Sequence, residues 1–325
     1  MANDQRLAHS TPAGRDCGRV GDARLAVPAG PAMVKGAERA GRMTRPFPHS
    51  LSPGPTDQVG PFLCLHAAVR GGASWSLFII FVMSVSAVFE LSSVAFFGRT
   101  AAEYAAFFKL DLPALRGCQV LDVAAGPSSF AAEANGLGVE VTAVDPLYGC
   151  RPDGLAAHVQ LDYQRVLAQM QAKPACFLAG AGADGAEGFF SSLAAAEESR
   201  RAAAARFLTD YAAHFVHGRY RGGALPALPF ADASFDVVLC AHLLFIYARQ
   251  FDYAFHRAAA LELVRVSRSD VRIHPICGAD GEPYPELERL RRELAAVGVA
   301  SELEAVPYRF FRGSGTMLVL RRETG

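Results

Sequence analysis

The clearest hydrophobic signals in the chain are short, continuous apolar runs bounded by turn residues. Gln119–Val123, Glu140–Val144, Phe235–Cys240 and Asp270–Pro275 read as buried strands of the parallel kind, and a weaker run at Gly218–Arg221 as another. Helical periodicity or capping signals lie between them. Thr100-Ala-Ala-Glu103 is a capping box that opens a helix running through Phe108. A helix beginning at Pro127 is predicted to end at Gly136 and Gly138. Phe251–Val266 and Pro285–Val297 read as further helices, the latter ended by Gly298. The chain closes with a predicted hairpin, Glu302–Phe310 and Thr316–Arg321, around Gly313-Ser-Gly315. The expected fold class is α/β: a doubly wound, seven-stranded, mostly parallel sheet with an antiparallel last strand.

The pattern is broken twice. Between the second and third strands, residues 146–217 carry two helical stretches, Leu155–Ala172 and Glu187–His217. This is too long for an ordinary crossover and reads as a helical insertion. In the second stretch Phe207, Leu208, Tyr211 and Phe215 share one face, with Glu197 and Arg201 paired on the other. The other break is N-terminal. The first 74 residues hold eight of the 19 prolines and only two aromatics, Phe47 and Phe62, too little apolar surface to offset ordering entropy. Gly71–Phe89 then contains no charge over 19 residues, marginally enough to span a bilayer. A span would place a nucleotide-binding domain outside the cell, so no stable membrane insertion is expected. The expected organisation is a disordered or non-native extension over residues 1–82, with translation starting at Met83, and a ligand-binding domain over 90–325.

Composition narrows the function classes. Of the 325 residues, 51% are hydrophobic and 20% charged, enough for a proper core, and the formal net charge is +0. No global field would draw nucleic acid or an anionic membrane. Basic residues come in doublets, such as Arg200 with Arg201, which read as solvated helix or strand ends. The seven cysteines are odd in number and widely spaced, which argues against a disulfide framework and for a reducing, cytoplasmic setting. His214 and His217 lie three apart on a helix, but no third ligand is near in sequence, so no metal is expected.

The candidate chemistry sits at the first two strand ends. Gly126 lets a ligand approach the backbone, and the N-terminus of the following helix suits a carboxylate or phosphate. Asp145, ending the second strand, can accept hydrogen bonds from a ribose diol. Asp122, ending the first, would favour a ligand amino group over a pyrophosphate.

Val120-Leu-Asp-Val-Ala-Ala-Gly-Pro-Ser128 resembles the first motif of the class I, Rossmann-like S-adenosylmethionine (SAM) methyltransferases. Val141-Thr-Ala-Val-Asp145 resembles their second-strand motif, and Leu228-Pro-Phe-Ala-Asp-Ala-Ser-Phe-Asp-Val-Val238 the approach to their fourth strand. The resemblance covers about residues 95–322, interrupted by the insertion. It implies SAM as cofactor, with Asp122, Ala124, Gly126, Pro127 and Ser128 around the methionine part and Asp145 on the ribose. Pro146, Leu147, Ala224 and Leu225 would flank the adenine. Ala241 and His242 would stand where cofactor and acceptor meet, with Arg99 and Tyr104 near the cofactor carboxylate. His242, then Tyr247, with Tyr148 behind them, are the candidate bases for an acceptor that must lose a proton. Ala124 and Ser128 stand where the family often has glycine, which removes easy access to φ > 0; Ala224 replaces a frequent acid.

The motifs of base-amine and cytosine-C5 methyltransferases are absent after the fourth strand, which disfavours nucleic acid. The expected activity is methyl transfer from SAM to an O, N or C atom, with a small-molecule acceptor preferred. RNA or protein acceptors, a non-catalytic nucleotide- or SAM-binding protein of the same fold, and an NAD-dependent oxidoreductase stand as alternatives. Acceptor identity and oligomeric state stay open.

Overall fold

A computed structural model describes residues 94–180 and 187–323. The expected extension over residues 1–82 lies outside them. Seven strands form one sheet: β1 (Gln119–Val123), β2 (Glu140–Asp145), β3 (Tyr220–Gly222), β4 (Phe235–Ala241), β5 (Ser267–His274), β6 (Val299–Ala305) and β7 (Thr316–Arg322). Their order is β3-β2-β1-β4-β5-β7-β6. The first five run parallel, and β7 is antiparallel to both β5 and β6. The central strands are buried on both faces, which is why they read as unbroken apolar runs.

Helices cover both faces. One apolar cluster lies under α1 (Ala101–Phe108), α2 (Phe130–Gly136) and the insertion helices α3 (Pro152–Ala172) and α4 (Leu193–His214). The other lies under α5 (Tyr253–Val266) and α6 (Leu287–Ala295). The capping box of α1 is present, with the Thr100 side chain accepting from Glu103 N–H and the Glu103 carboxylate accepting from Thr100 N–H.

Three expectations are corrected. The helix after β1 begins at Phe130, three residues later than Pro127, because Pro127–Ser129 are held in a turn by another segment. The strand expected at Glu302–Phe310 is β6 at Val299–Ala305. It is an edge strand with one exposed face, so its apolar signal is weak, and the apolar residues Tyr308 and Phe310 fold inward from the loop beyond it. Arg200, expected at a solvated helix end, is fully buried on the inner face of α4. The Glu197–Arg201 pair on the outer face is present, at 2.7 Å.

The strand order sets the place of any site. From β1 the chain moves outward to β2 and β3, and then crosses back to β4 on the other side. Helices following β1 and β4 therefore leave on opposite faces and open a crevice at the carboxyl ends of those strands.

Candidate active site

The turn after β1 is laced to the end of β2. Gly126 N–H donates to Asp145 Oδ2 at 3.1 Å, and Ala125 N–H to the Val144 carbonyl at 3.2 Å. The Tyr148 hydroxyl donates to the Gly126 carbonyl. Gly126 is left-handed, with φ of 56°. Ala124 takes the same φ of 56° despite its Cβ. The loss of φ > 0 expected from alanine is thus overridden by the surrounding contacts, at about 1–2 kcal/mol of local strain.

A strap, Val94–Arg99, lies across this turn. Ala95 N–H donates to Tyr247 Oη at 2.8 Å, Phe96 N–H to Asp162 Oδ2 at 2.7 Å and Gly98 N–H to Tyr163 Oη at 3.3 Å. Gly98 backs directly onto Pro127, where an added Cβ would lie 1.9 Å from the carbonyl oxygen. The Arg99 carbonyl accepts from Ser129 N–H at 3.0 Å and from Ser128 Oγ at 2.9 Å, while Phe130 N–H donates to Ser128 Oγ at 3.1 Å. The start of α2 is therefore capped by the protein itself, and its N–H groups are not the open anion site that the turn suggested.

The two strand-end carboxylates differ sharply. Asp145 faces the crevice; Oδ1 accepts from Leu147 N–H at 3.0 Å and Oδ2 from Gly126 N–H. Each oxygen keeps a second lone pair for a ligand. Burial raises its pKa to about 6, although the two backbone hydrogen bonds oppose the shift. Asp122 is fully buried and does not line the crevice. Tyr104 Oη donates to its Oδ1 at 3.0 Å and stands between it and the ligand space, while Oδ2 has no partner. Burial, with Asp145 adding to it, holds Asp122 well above the usual carboxylate range, although the Tyr104 hydrogen bond opposes the shift.

A cationic cluster lies on the other side. Arg200, from α4, is ion-paired with Glu103 and donates to Tyr308 Oη at 3.3 Å; Tyr308 donates in turn to Glu103 Oε1 at 3.0 Å. Arg99 has no carboxylate of its own: one guanidinium N–H donates to the Phe97 carbonyl at 3.0 Å, and buried Nε has no partner. Two guanidiniums thus face one carboxylate. Burial, then Arg200, lowers the Arg99 pKa. Next to them His242 follows β4 with φ of 51°, its backbone N–H donating to the His274 carbonyl at 2.6 Å. Both ring nitrogens are buried without a partner. Burial, with Arg99, His274 and Arg200 adding to it, pushes the imidazolium pKa well down and leaves a neutral ring.

These groups meet in a cavity of about 450 Å³ at the switch point between β1 and β4. Arg99, Tyr104, Ala124, Gly126, Asp145, Pro146, Leu147, Ala224, Leu225, Ala241, His242 and Tyr247 all line it. Asp122, Pro127 and Ser128 do not. Tyr247 is occupied in holding Ala95, and Tyr148 clamps Gly126 from outside the cavity. A second cavity of about 880 Å³ shares the lining residues Ile246 and Ala279 with the first. Sequence reasoning missed the strap, Arg200, and the walls made by Phe177, Phe310 and Phe311. For Arg200 a signal existed: it falls in helical register with Ala196, Ala203, Ala204, Phe207 and Tyr211.

A seven-stranded sheet with this order, a reversed β7 and the crevice between β1 and β4 settles the architecture. This is the Rossmann-like methyltransferase fold. No family profile matches the chain. An uncharacterized protein of Methanocaldococcus jannaschii is 28% identical over 233 residues, covering 72% of this chain and 98% of that protein. Among solved structures, magnesium protoporphyrin IX methyltransferase from Synechocystis with bound SAM aligns over 69% of this chain and 80% of its own, at 12% identity and a TM-score of 0.36. The 1,6-didemethyltoxoflavin-N1-methyltransferase of Burkholderia thailandensis aligns over 69% and 79%, at 16% identity and a TM-score of 0.37. At these scores the likeness carries no argument, and the fold rests on the strand order. Among the described residues no helix is long and apolar enough to cross a membrane.

Proposed function

We propose that the protein is a SAM-dependent methyltransferase acting in the cytoplasm, and that its methyl acceptor is a small molecule. The observation that carries this reading is Asp145 facing the switch-point cavity with spare acceptor capacity, beside the Gly126 turn that lines the same cavity. A ribose diol would hydrogen-bond to Asp145, with Pro146, Leu147, Ala224 and Leu225 around the base. The aminoacyl carboxylate would meet Arg99, since the α2 N-terminus is already capped and Arg99 is the cation there without an acid partner. Bound SAM supplies an activated methyl group on a sulfonium. The chain's part is to align the acceptor near Ala241 and His242 and to exclude water, a task the strap and the insertion helices serve by walling the cavity.

The reading is tested by calorimetry with SAM, S-adenosylhomocysteine and NAD. SAM and S-adenosylhomocysteine are expected to bind and NAD not; binding of NAD alone would overturn the proposal. Binding of SAM with no turnover across a library of small molecules, RNA and peptides would favour a non-catalytic binding protein.

A further inference from the structure

We propose that the part of the cavity beyond His242 is the acceptor chamber, and that it takes a flat, largely apolar molecule presenting one hydroxyl to the His242 ring. The inference rests on the methyltransferase reading. Its first support is the ring itself. Buried polar atoms normally find a partner. Here two on one imidazole have none, and that ring lines a cavity. Phe107, His274, Tyr308 and Phe311 surround it, with centroids 5.2, 5.1, 6.3 and 6.1 Å away. A left-handed φ at a non-glycine residue holds it there.

Shape and charge narrow the ligand. The remaining walls are Met170 and Phe177 from the insertion, Ile246 and Phe251 after β4, and Phe310 from the β6–β7 loop. Such walls favour a planar ring over a sugar or a peptide. The nearby charges are Arg99 and Arg200 against Glu103, a surplus of positive charge. Asp162, the carboxylate on the insertion side, is taken up by Phe96 N–H and Arg165. A protonated amine would therefore meet like charge, and the other acid lining the cavity, Asp145, is given to the ribose. A hydroxyl giving up its proton would be stabilised by the same field. When the acceptor oxygen bonds to the methyl carbon, the carbon–sulfur bond breaks and its electron pair stays on sulfur. The hydroxyl proton passes to an unpartnered His242 nitrogen and then to water.

The test uses naphthol and naphthylmethylammonium, titrated by calorimetry into the full chain saturated with S-adenosylhomocysteine. Naphthol is expected to bind about tenfold or more tighter than the ammonium compound. His242→Gly, which keeps the backbone free to adopt φ > 0, should weaken naphthol about tenfold and leave S-adenosylhomocysteine within about threefold. Equal binding of the ammonium compound, unchanged naphthol binding in the variant, or loss of S-adenosylhomocysteine with the ring would each overturn the assignment. Failure of the wild-type chain to bind S-adenosylhomocysteine would overturn the methyltransferase reading instead.

Discussion

Asp145 holds the Gly126 turn and, in the proposed function, the ribose; both duties favour its ionised form, and burial opposes it. Burial lifts its pKa from 3.8 to about 6, so the folded protein keeps a proton that the unfolded chain releases between those values. Its contribution to stability is therefore largest below about pH 4 and falls as the pH rises through about 6. Cofactor affinity runs the other way, because ribose hydroxyls need the ionised acceptor. Calorimetry should show SAM binding about tenfold weaker at pH 5 than at pH 7. An affinity flat across that range would argue against the ribose role. Asp145→Ala should cost about 1.5–3 kcal/mol of SAM binding at neutral pH. Ala124 offers a stability test. Glycine there relieves a strain of about 1–2 kcal/mol but adds unfolded-state entropy of about 0.5–1 kcal/mol. Ala124→Gly should thus raise the urea midpoint slightly, where an ordinary alanine to glycine change would lower it.

Among the elements, α4 is tied to the core by one buried ion pair. Arg200 reaches Glu103 on α1, and the same carboxylate caps α1 and accepts from Tyr308. Arg200→Met leaves that buried carboxylate without its ion-pair partner, with only Arg99 as a more distant cation, and should cost about 3–5 kcal/mol. Adding Glu103→Gln removes the charge and keeps a capping oxygen, so the double variant should recover part of the loss, as read by urea unfolding. A double variant no more stable than the single would show that packing of the arginine stem, not charge, is what matters. The helix itself was legible as a helical run in the sequence. Which of its faces carries Arg200 inward depends on α1 and the Tyr308 loop, which lie 97 and 108 residues away. The start of α2 was misplaced for a like reason. The Ser129 N–H just before it donates to the Arg99 carbonyl, 30 residues upstream, and no local rule foretells that partner.

For the whole molecule, a ligand that binds only the folded state stabilises it by mass action. SAM at one hundred times its dissociation constant should add about 2.7 kcal/mol to unfolding, seen as a raised thermal midpoint, while NAD should leave the midpoint unchanged. The sequence by itself determined the buried strands β1, β2 and β4, their α/β alternation, and the positions of Gly126 and Asp145. A strand buried on both faces must be apolar throughout, and an acid or glycine at its end is visible against that background. Only the tertiary structure decided that Asp122 is walled off behind Tyr104 while Asp145 faces the cavity. It also decided that Arg99 lacks an acid and that His242 stands in a ring of aromatic groups. These are properties of what lies opposite each side chain, set by segments far apart in the chain, and burial and charge act through space rather than along the sequence.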